Sequence, residues 1–242
     1  MFQRITQSPA LVRVVPFVVF VALTFLQDRF GETGRYWIYF GKTLAGAGML
    51  FAVWRHVTEL KWRFSIPAVL VGVGVFALWV GLDGFYPATD EIYPRYICPL
   101  LAKIGLTKEC VPAPAHPPWN PHAAFGAGST LAILFIVVRI VGSSLVVPPL
   151  EEMFWRSFVY RYLVRREFDR ETLGKFFPLS FLLTSVFFGF AHREWLAGIL
   201  CGFAYLGLVV WKNRLGDAMT AHAITNFLLG LWIVWKQQWH FW

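Results

Sequence analysis

Two adjacent glutamates, Glu151 and Glu152, lie in an apolar stretch of the chain. A carboxylate in such a setting is costly to bury and usually marks a function. Arg156 follows Glu152 by four residues, so a helix brings these two charges onto one face. Glu151 is rotated by about 100° around the same helix. We therefore expect Glu152 and Arg156 to form a structural pair and Glu151 to be available as a general base.

Two further segments carry polar residues at helical spacing. His192 follows Phe188 by four residues at the end of an apolar run, and His222 and Asn226 are also four apart, so the second pair shares one helix face. A carboxylate and a histidine can activate water, and a second histidine and an amide can hold an oxyanion. The combination predicts hydrolysis, with Glu151, His192, His222 and Asn226 as the catalytic set.

Each of these signals has a simpler interpretation when taken alone. Paired glutamates often cap a helix, a single histidine at a helix end often packs, and a membrane asparagine often joins helices. Glu151, His192 and His222 also make a candidate ligand set for a divalent metal such as zinc, so the cofactor is either none or such a metal. The chain contains neither HExxH nor GxSxG, which are the usual signs of a helical zinc site and a serine nucleophile.

The composition is that of an integral membrane protein. Of the 242 residues, 57% are hydrophobic and 15% are charged, and the mean hydropathy is +0.55, whereas a soluble domain is about 25% charged. The net charge of +8 comes largely from short loops between apolar runs, where it indicates membrane topology and contact with lipid. No motif for nucleic-acid recognition is present, so we expect lipid and no nucleic acid as a partner.

The apolar runs predict an all-α polytopic bundle of about 7–8 transmembrane helices in a single integral membrane domain, 1–242. They lie at about 11–27, 36–54, 64–82, 123–147, 148–164, 176–191, 195–211 and 217–235. We interpret the first as a retained transmembrane helix rather than a cleaved signal peptide. Prolines 148 and 149 fit the opening turn of a helix.

The segment 83–122 is expected to be an extramembrane loop, because its many prolines forbid a long helix. A short helix is expected near 99–106. Cys98 and Cys110 share this loop and would pair only in an oxidising compartment, whereas Cys201 lies in an apolar run and should be a packing residue.

Three clusters of basic residues lie at or after the ends of apolar runs, and all three are expected on the cytoplasmic side of the membrane. They lie at Arg55/Lys61/Arg63, at Arg161/Arg165/Arg166/Arg170/Lys175 and at Lys212/Arg214. If all eight segments cross the membrane, the first cluster falls on the opposite side from the others. Either 148–164 enters without crossing, or the positive-inside rule is broken at one loop.

In these motifs the chain resembles the CPBP family of intramembrane proteases, which includes the CAAX prenyl endopeptidases and a bacterial group associated with exosortase systems. The family pattern is EExxxR, then FxxxH, then HxxxN. It is matched by 151–156, by 188–192 and by 222–226, and the resemblance covers about 120–235, the expected catalytic core. Ser157 departs from it, since many members carry glycine at this position.

The resemblance implies an intramembrane endopeptidase that cleaves near a membrane-embedded or lipidated C-terminus, in a bacterial inner (plasma) membrane. Glu151 corresponds to the catalytic glutamate, His192 to the histidine that assists water activation, and His222 and Asn226 to residues near the scissile carbonyl. Glu152, Arg156 and Phe188 correspond to supporting residues. The alternatives are a non-catalytic scaffold or immunity protein of the same family and a small transporter, although the inverted repeat of many transporters is missing.

Overall fold

The computed structural model describes residues 2–106 and 118–242, and every regular element in these ranges is a helix. The predicted all-α membrane bundle is thereby confirmed. The helices are α1 Phe2–Gln7, α2 Leu11–Gln27, α3 Gly31–Val53, α4 Ile66–Gly81, α5 Thr89–Ile92, α6 Cys98–Lys103, α7 Pro121–Phe125, α8 Thr130–Val141, α9 Val147–Glu152, α10 Tyr160–Tyr162, α11 Pro178–Phe190, α12 Trp195–Lys212 and α13 Gly216–Lys236.

Helices α8, α9 and α10 form one continuous element, Thr130–Tyr162, which we call the long helix. The sequence predicted two segments divided at Pro148, and this division was wrong. Pro148 does open the α-helical segment α9, but a π-helical turn, Gly142–Val146, joins that segment directly to α8. The backbone N–H of Val147 donates to the carbonyl of Gly142, so the helix widens by one residue and continues past the prolines.

The single long helix removes the conflict between the basic clusters. Arg161, near its end, pairs with Glu59 of the 54–65 loop at 3.0 Å. A Cβ placed on Gly216, at the start of α13, would lie 2.1 Å from the carbonyl oxygen of Lys61. The 54–65 loop, the end of the long helix and the turn before α13 therefore lie together, and all three basic clusters are found at one end of the bundle.

Small residues allow the helices to approach closely where the polar residues meet. A Cβ on Gly198 of α12 would lie 2.9 Å from the Cα of Gly189 on α11, and one on Gly202 would lie 2.9 Å from the Cα of Ser185. On the other side of the bundle, a Cβ on Gly72 of α4 would lie 2.7 Å from a backbone oxygen of α13. Such contacts bring backbones close enough for membrane helices to pack tightly.

The extramembrane segment 83–122 contains a longer helix than the short one predicted near 99–106. A π-helical turn, Tyr93–Ile97, joins α5 to α6, so the helix runs from Thr89 to Lys103. Prolines 94 and 99 lie in the first turns of its second and third parts, where the wider π-helical turn accommodates residues without an N–H. Cys98 is disulfide-bonded, whereas Cys110 and the rest of 107–117 lie outside the described residues.

A buried polar network fixes the basic end of the bundle. Ser157 donates to Glu59 at 2.5 Å and accepts from Arg13 at 2.8 Å and from Arg161 at 2.9 Å. Burial alone would raise the pKa of Glu59, but Arg13 and the Ser157 hydroxyl outweigh it and lower this pKa to about 2. Ser157, the residue that departs from the family pattern, is therefore hydrogen-bonded to two arginines and one carboxylate.

Candidate active site

The four residues predicted to be catalytic line one cavity of about 510 Å³ inside the bundle. Glu151 comes from the long helix, His192 from the turn after α11, and His222 and Asn226 from α13. The geometry therefore brings the whole set together, although the residues are spread over 76 positions of the chain.

Glu152 is fully buried and occupies the centre of the hydrogen-bonding arrangement. Its Oε1 accepts from Nη1 of Arg156 at 3.2 Å and pairs with Nδ1 of His222 at 2.9 Å. The predicted ion pair is present, and the bond to His222 is an addition that the spacing did not indicate. Because an ionised carboxylate only accepts, His222 carries its proton on Nδ1 and turns Nε2 towards the cavity.

Glu151 faces the same histidine from the cavity side. Its Oε2 lies 4.0 Å from Nε2 of His222 and is buried without a hydrogen-bond partner among the described residues. Tyr205 of α12 stacks on His222 with a centroid distance of 5.1 Å, and its hydroxyl donates to Thr225 at 2.7 Å. The ring of His222 is thus held at one edge by Glu152 and on one face by Tyr205.

His192 is oriented by its own helix end. Its Nδ1 lies 2.8 Å from the carbonyl oxygen of Phe188, and because a carbonyl only accepts, Nδ1 carries the proton and Nε2 has a free lone pair. The Phe188 ring contacts His192 at a centroid distance of 4.6 Å and carries the Arg156 guanidinium at 4.0 Å on its face. Phe188 therefore packs between the buried ion pair and the histidine.

Asn226 lies one turn beyond His222 and is fixed to the long helix. Its Nδ2 donates to the carbonyl oxygen of Ser143 at 2.7 Å. An amide nitrogen carries two hydrogens, so one hydrogen anchors the side chain and the second is available to a group in the cavity.

The predicted metal ligands do not assemble into a metal site. Within residues 2–106 and 118–242, no three His, Cys, Asp or Glu side chains are grouped so that they could hold an ion. Nδ1 of His222 binds Glu152, a bond that metal-ligating histidines also make, and Nε2 of the same ring is 4.0 Å from Glu151. The residues present do not fit the metal alternative, and the mechanism below contains no metal step.

Sequence reasoning missed three residues that line this cavity, Lys42, Arg139 and Tyr205. Lys42 and Arg139 are charged residues within the apolar runs 36–54 and 123–147, and their isolation there was the available signal. Tyr205 gave no signal, because an aromatic residue in an apolar helix is ordinary.

Comparison with known proteins is consistent with the motif pattern. A family model described as type II CAAX prenyl endopeptidase Rce1-like matches residues 116–228, which include the whole candidate catalytic set. No curated protein and no solved structure matches at a significant level. The resemblance to the CPBP family is confirmed, since residues 116–228 of this chain are similar to the Rce1-like type II CAAX prenyl endopeptidases.

Proposed function

We propose that this integral membrane protein is an endopeptidase that hydrolyses a peptide bond near the membrane-embedded or lipidated C-terminus of its substrate. The observation that carries the proposal is the convergence of Glu151, His192, His222 and Asn226 on one cavity among apolar helices. The family match supports a peptide or prenylated protein as the substrate class.

Glu151 and His192 activate the water. A water molecule donates one hydrogen to Oε2 of Glu151 and the other to Nε2 of His192, since both atoms can accept. The water oxygen attacks the scissile carbonyl carbon while its proton moves to Glu151. General-base assistance of this kind contributes about 10²- to 10⁴-fold to the rate.

Asn226 and His222 stabilise the resulting oxyanion. The second amide hydrogen of Asn226 donates to the oxyanion directly. Because Nδ1 of His222 already donates to Glu152, the ring takes this role as the doubly protonated imidazolium, which donates to the oxyanion from Nε2. Glu151 then passes its proton to the leaving amine and the C–N bond breaks. The products are a shortened substrate with a new C-terminal carboxyl group and a released peptide with a free amino group.

The arrangement of charges supports an orientation in a bacterial inner membrane. The basic end of the bundle is expected in the cytoplasm by the positive-inside rule. The extramembrane segment with the disulfide-bonded Cys98 then lies on the opposite side, where oxidising conditions preserve disulfides. Arg193, on the cavity wall, pairs with Asp90 of this segment at 3.3 Å, so this wall of the cavity lies next to the extramembrane segment.

The proposal is tested with the full-length protein purified in detergent and a quenched fluorescent peptide that ends in a farnesylated CAAX sequence. Wild-type protein should cleave the peptide, and Glu151→Gln and His192→Ala should each abolish cleavage without lowering the melting temperature. Glu167→Gln, which changes an exposed carboxylate at the basic end, should retain full activity.

Retained cleavage in either catalytic variant would overturn the mechanism. If Glu151→Gln instead left the cellular function intact, the non-catalytic scaffold would be the better description. Repeating the assay with a chelator tests metal dependence independently.

A further inference from the structure

The continuous helix Thr89–Lys103 of the extramembrane segment, which we call the surface helix, exposes a stripe of apolar side chains. These side chains follow one another at intervals of three or four positions, which places them on one face of a helix. Between 43% and 62% of the surface of each is accessible. The apolar stripe consists of Tyr93, Tyr96, Ile97 and Leu100, and it continues into Ile104 directly after the helix.

The other side of the surface helix is exposed as well, but it is not apolar. Glu91 and Arg95 each lie two positions from Tyr93, and Ala102 lies two positions from Leu100, which is roughly half a helical turn away from the stripe. The helix rises roughly 22 Å at about 1.5 Å per residue, so it is too short to cross a core of about 30 Å. A short helix with one apolar and one polar side is suited to lie along a membrane surface.

The start of the surface helix is bonded to the turn between α11 and α12. The backbone N–H of Thr89 donates to the carbonyl oxygen of Arg193 at 3.0 Å. Nε1 of Trp195 donates to the carbonyl oxygen of Pro87 at 3.0 Å. The surface helix therefore begins at the level where α11 ends and α12 begins, beside the turn that carries His192.

Aromatic residues mark the membrane boundary at this same level. Phe190, the last residue of α11, is 53% exposed and stacks on Trp195 with a centroid distance of 5.5 Å. Phe187, three positions earlier, is 48% exposed. The ring of Tyr86 meets Trp195 edge to face at 5.6 Å. Because Trp and Tyr concentrate at membrane boundaries, the lipid-facing surface of α11 continues through Trp195 to the base of the surface helix.

We propose that the surface helix is an interfacial helix whose apolar stripe inserts into lipid at the boundary between headgroups and acyl chains. Helices of this kind bury their apolar face about 5–10 Å into that boundary. The continuity of the apolar stripe with the lipid-facing end of α11 favours lipid over a second copy of the chain as the group that covers the stripe. Through the bond from Thr89 to Arg193, the inserted helix holds the His192 turn at the membrane boundary. The inference does not depend on the proposed hydrolysis.

Fluorescence quenching in lipid tests where the apolar stripe lies. Full-length protein is reconstituted, one copy per disc, in nanodiscs of phosphatidylcholine and phosphatidylglycerol. Leu100→acridonylalanine places a fluorescent label on the stripe, and Ala102→acridonylalanine places it on the opposite, exposed side of the same helix. Lipid with a nitroxide on the fifth acyl carbon should quench the label at position 100 at least about twofold more strongly than the label at position 102. Iodide in the water should quench the two labels in the reverse order.

A charge on the apolar stripe should lift the surface helix out of the lipid. With Tyr93→acridonylalanine as the reporter, Leu100→Glu should lower quenching by the nitroxide lipid at least about twofold, because a carboxylate is costly to place among acyl chains. Ala102→Glu adds the same charge to the opposite side and should leave this quenching unchanged. If Leu100→Glu lowers the melting temperature, the two labels at positions 100 and 102 decide alone.

Equal quenching of these two labels by nitroxide lipid, or stronger quenching by iodide at position 100 than at position 102, would overturn the inference. Protection of position 100 from both quenchers would overturn it too, because protein and not lipid would then cover the stripe. An equal effect of Leu100→Glu and Ala102→Glu on the Tyr93 reporter, with both variants folded, would also contradict it.

Discussion

Glu152 binds His222 at 2.9 Å although the two residues lie 70 positions apart in the chain. The same carboxylate oxygen accepts from Arg156. Glu152 therefore has two functions that the motif spacing alone does not separate. It neutralises a buried arginine, and it fixes the proton of His222 on Nδ1, so that Nε2 faces the proposed base.

Glu152→Gln should both leave Arg156 without its counter-charge and leave His222 without its orienting carboxylate. The double variant Glu152→Gln/Arg156→Met should show only the second of these defects. The single variant leaves the Arg156 charge buried and unpaired, which costs about 3–5 kcal/mol of stability. The double variant removes that charge and should recover most of the melting temperature, yet kcat should stay at least about 10²-fold below wild type, because His222 has lost its orienting carboxylate.

Thermal unfolding and peptide cleavage of the two variants are measured side by side. Recovery of activity together with stability in the double variant would mean that Glu152 serves the fold alone. Glu167→Gln, which removes an exposed carboxylate, is the control for loss of charge.

The sequence predicted which residues within each motif lie close together, because the members of each pair are four positions apart along a helix or across its end. Spacings of four residues in 152–156, 188–192 and 222–226 fix a shared face wherever the helices pack. The contacts between helices were not predictable in the same way. The bond from Glu152 to His222, and the stacking of Tyr205, depend on packing between distant segments, which periodicity does not encode.

The prediction that the helix is divided at Pro148 was wrong, because the local sequence does not show how neighbouring turns accommodate the proline. Proline was treated as the start of a new helix, which is its usual place. A π-helical turn at Gly142–Val146 instead absorbs the missing hydrogen bond. As a result, one continuous helix carries both Arg139 and Glu151, and both side chains line the cavity.

Acid should destabilise the protein through Glu59. The folded-state pKa of Glu59 is lowered to about 2, from an ordinary value of 4.5. Its contribution to stability, about 3 kcal/mol, is therefore present above pH 4.5 and is lost as the pH falls from 4.5 towards 2. In Glu59→Gln this part of the acid dependence should disappear. The melting temperatures of the wild type and of Glu59→Gln are measured between pH 7 and pH 3. If the two melting temperatures fall in parallel as the pH is lowered, the prediction is contradicted.

Ser157 should matter for stability and not for catalysis. Ser157→Ala removes a hydroxyl that joins Glu59, Arg13 and Arg161, and leaving such buried groups short of a partner costs about 1–3 kcal/mol. The specific activity of the folded protein should be unchanged. Thr172→Ala, at an exposed position, is the control for loss of a hydroxyl. A fall in kcat with unchanged stability would show that the network acts on the site.

Gly189→Ala should reduce both stability and activity, because this residue sets the distance between α11 and α12 three positions before His192. Its added Cβ would lie 2.6 Å from the backbone nitrogen of Ile199 and 2.7 Å from the backbone oxygen of Trp195, so the helices must separate and His192 must shift. Overpacking of this kind costs about 1–3 kcal/mol, and a displacement of about 1 Å at a catalytic group can lower the rate by about 10²-fold. Gly207→Ala is the matched control on α12, since a Cβ there meets nothing within 4 Å, and it should be neutral. Equal behaviour of the two variants in thermal unfolding and peptide cleavage would show that the close contact at Gly189 does not position His192.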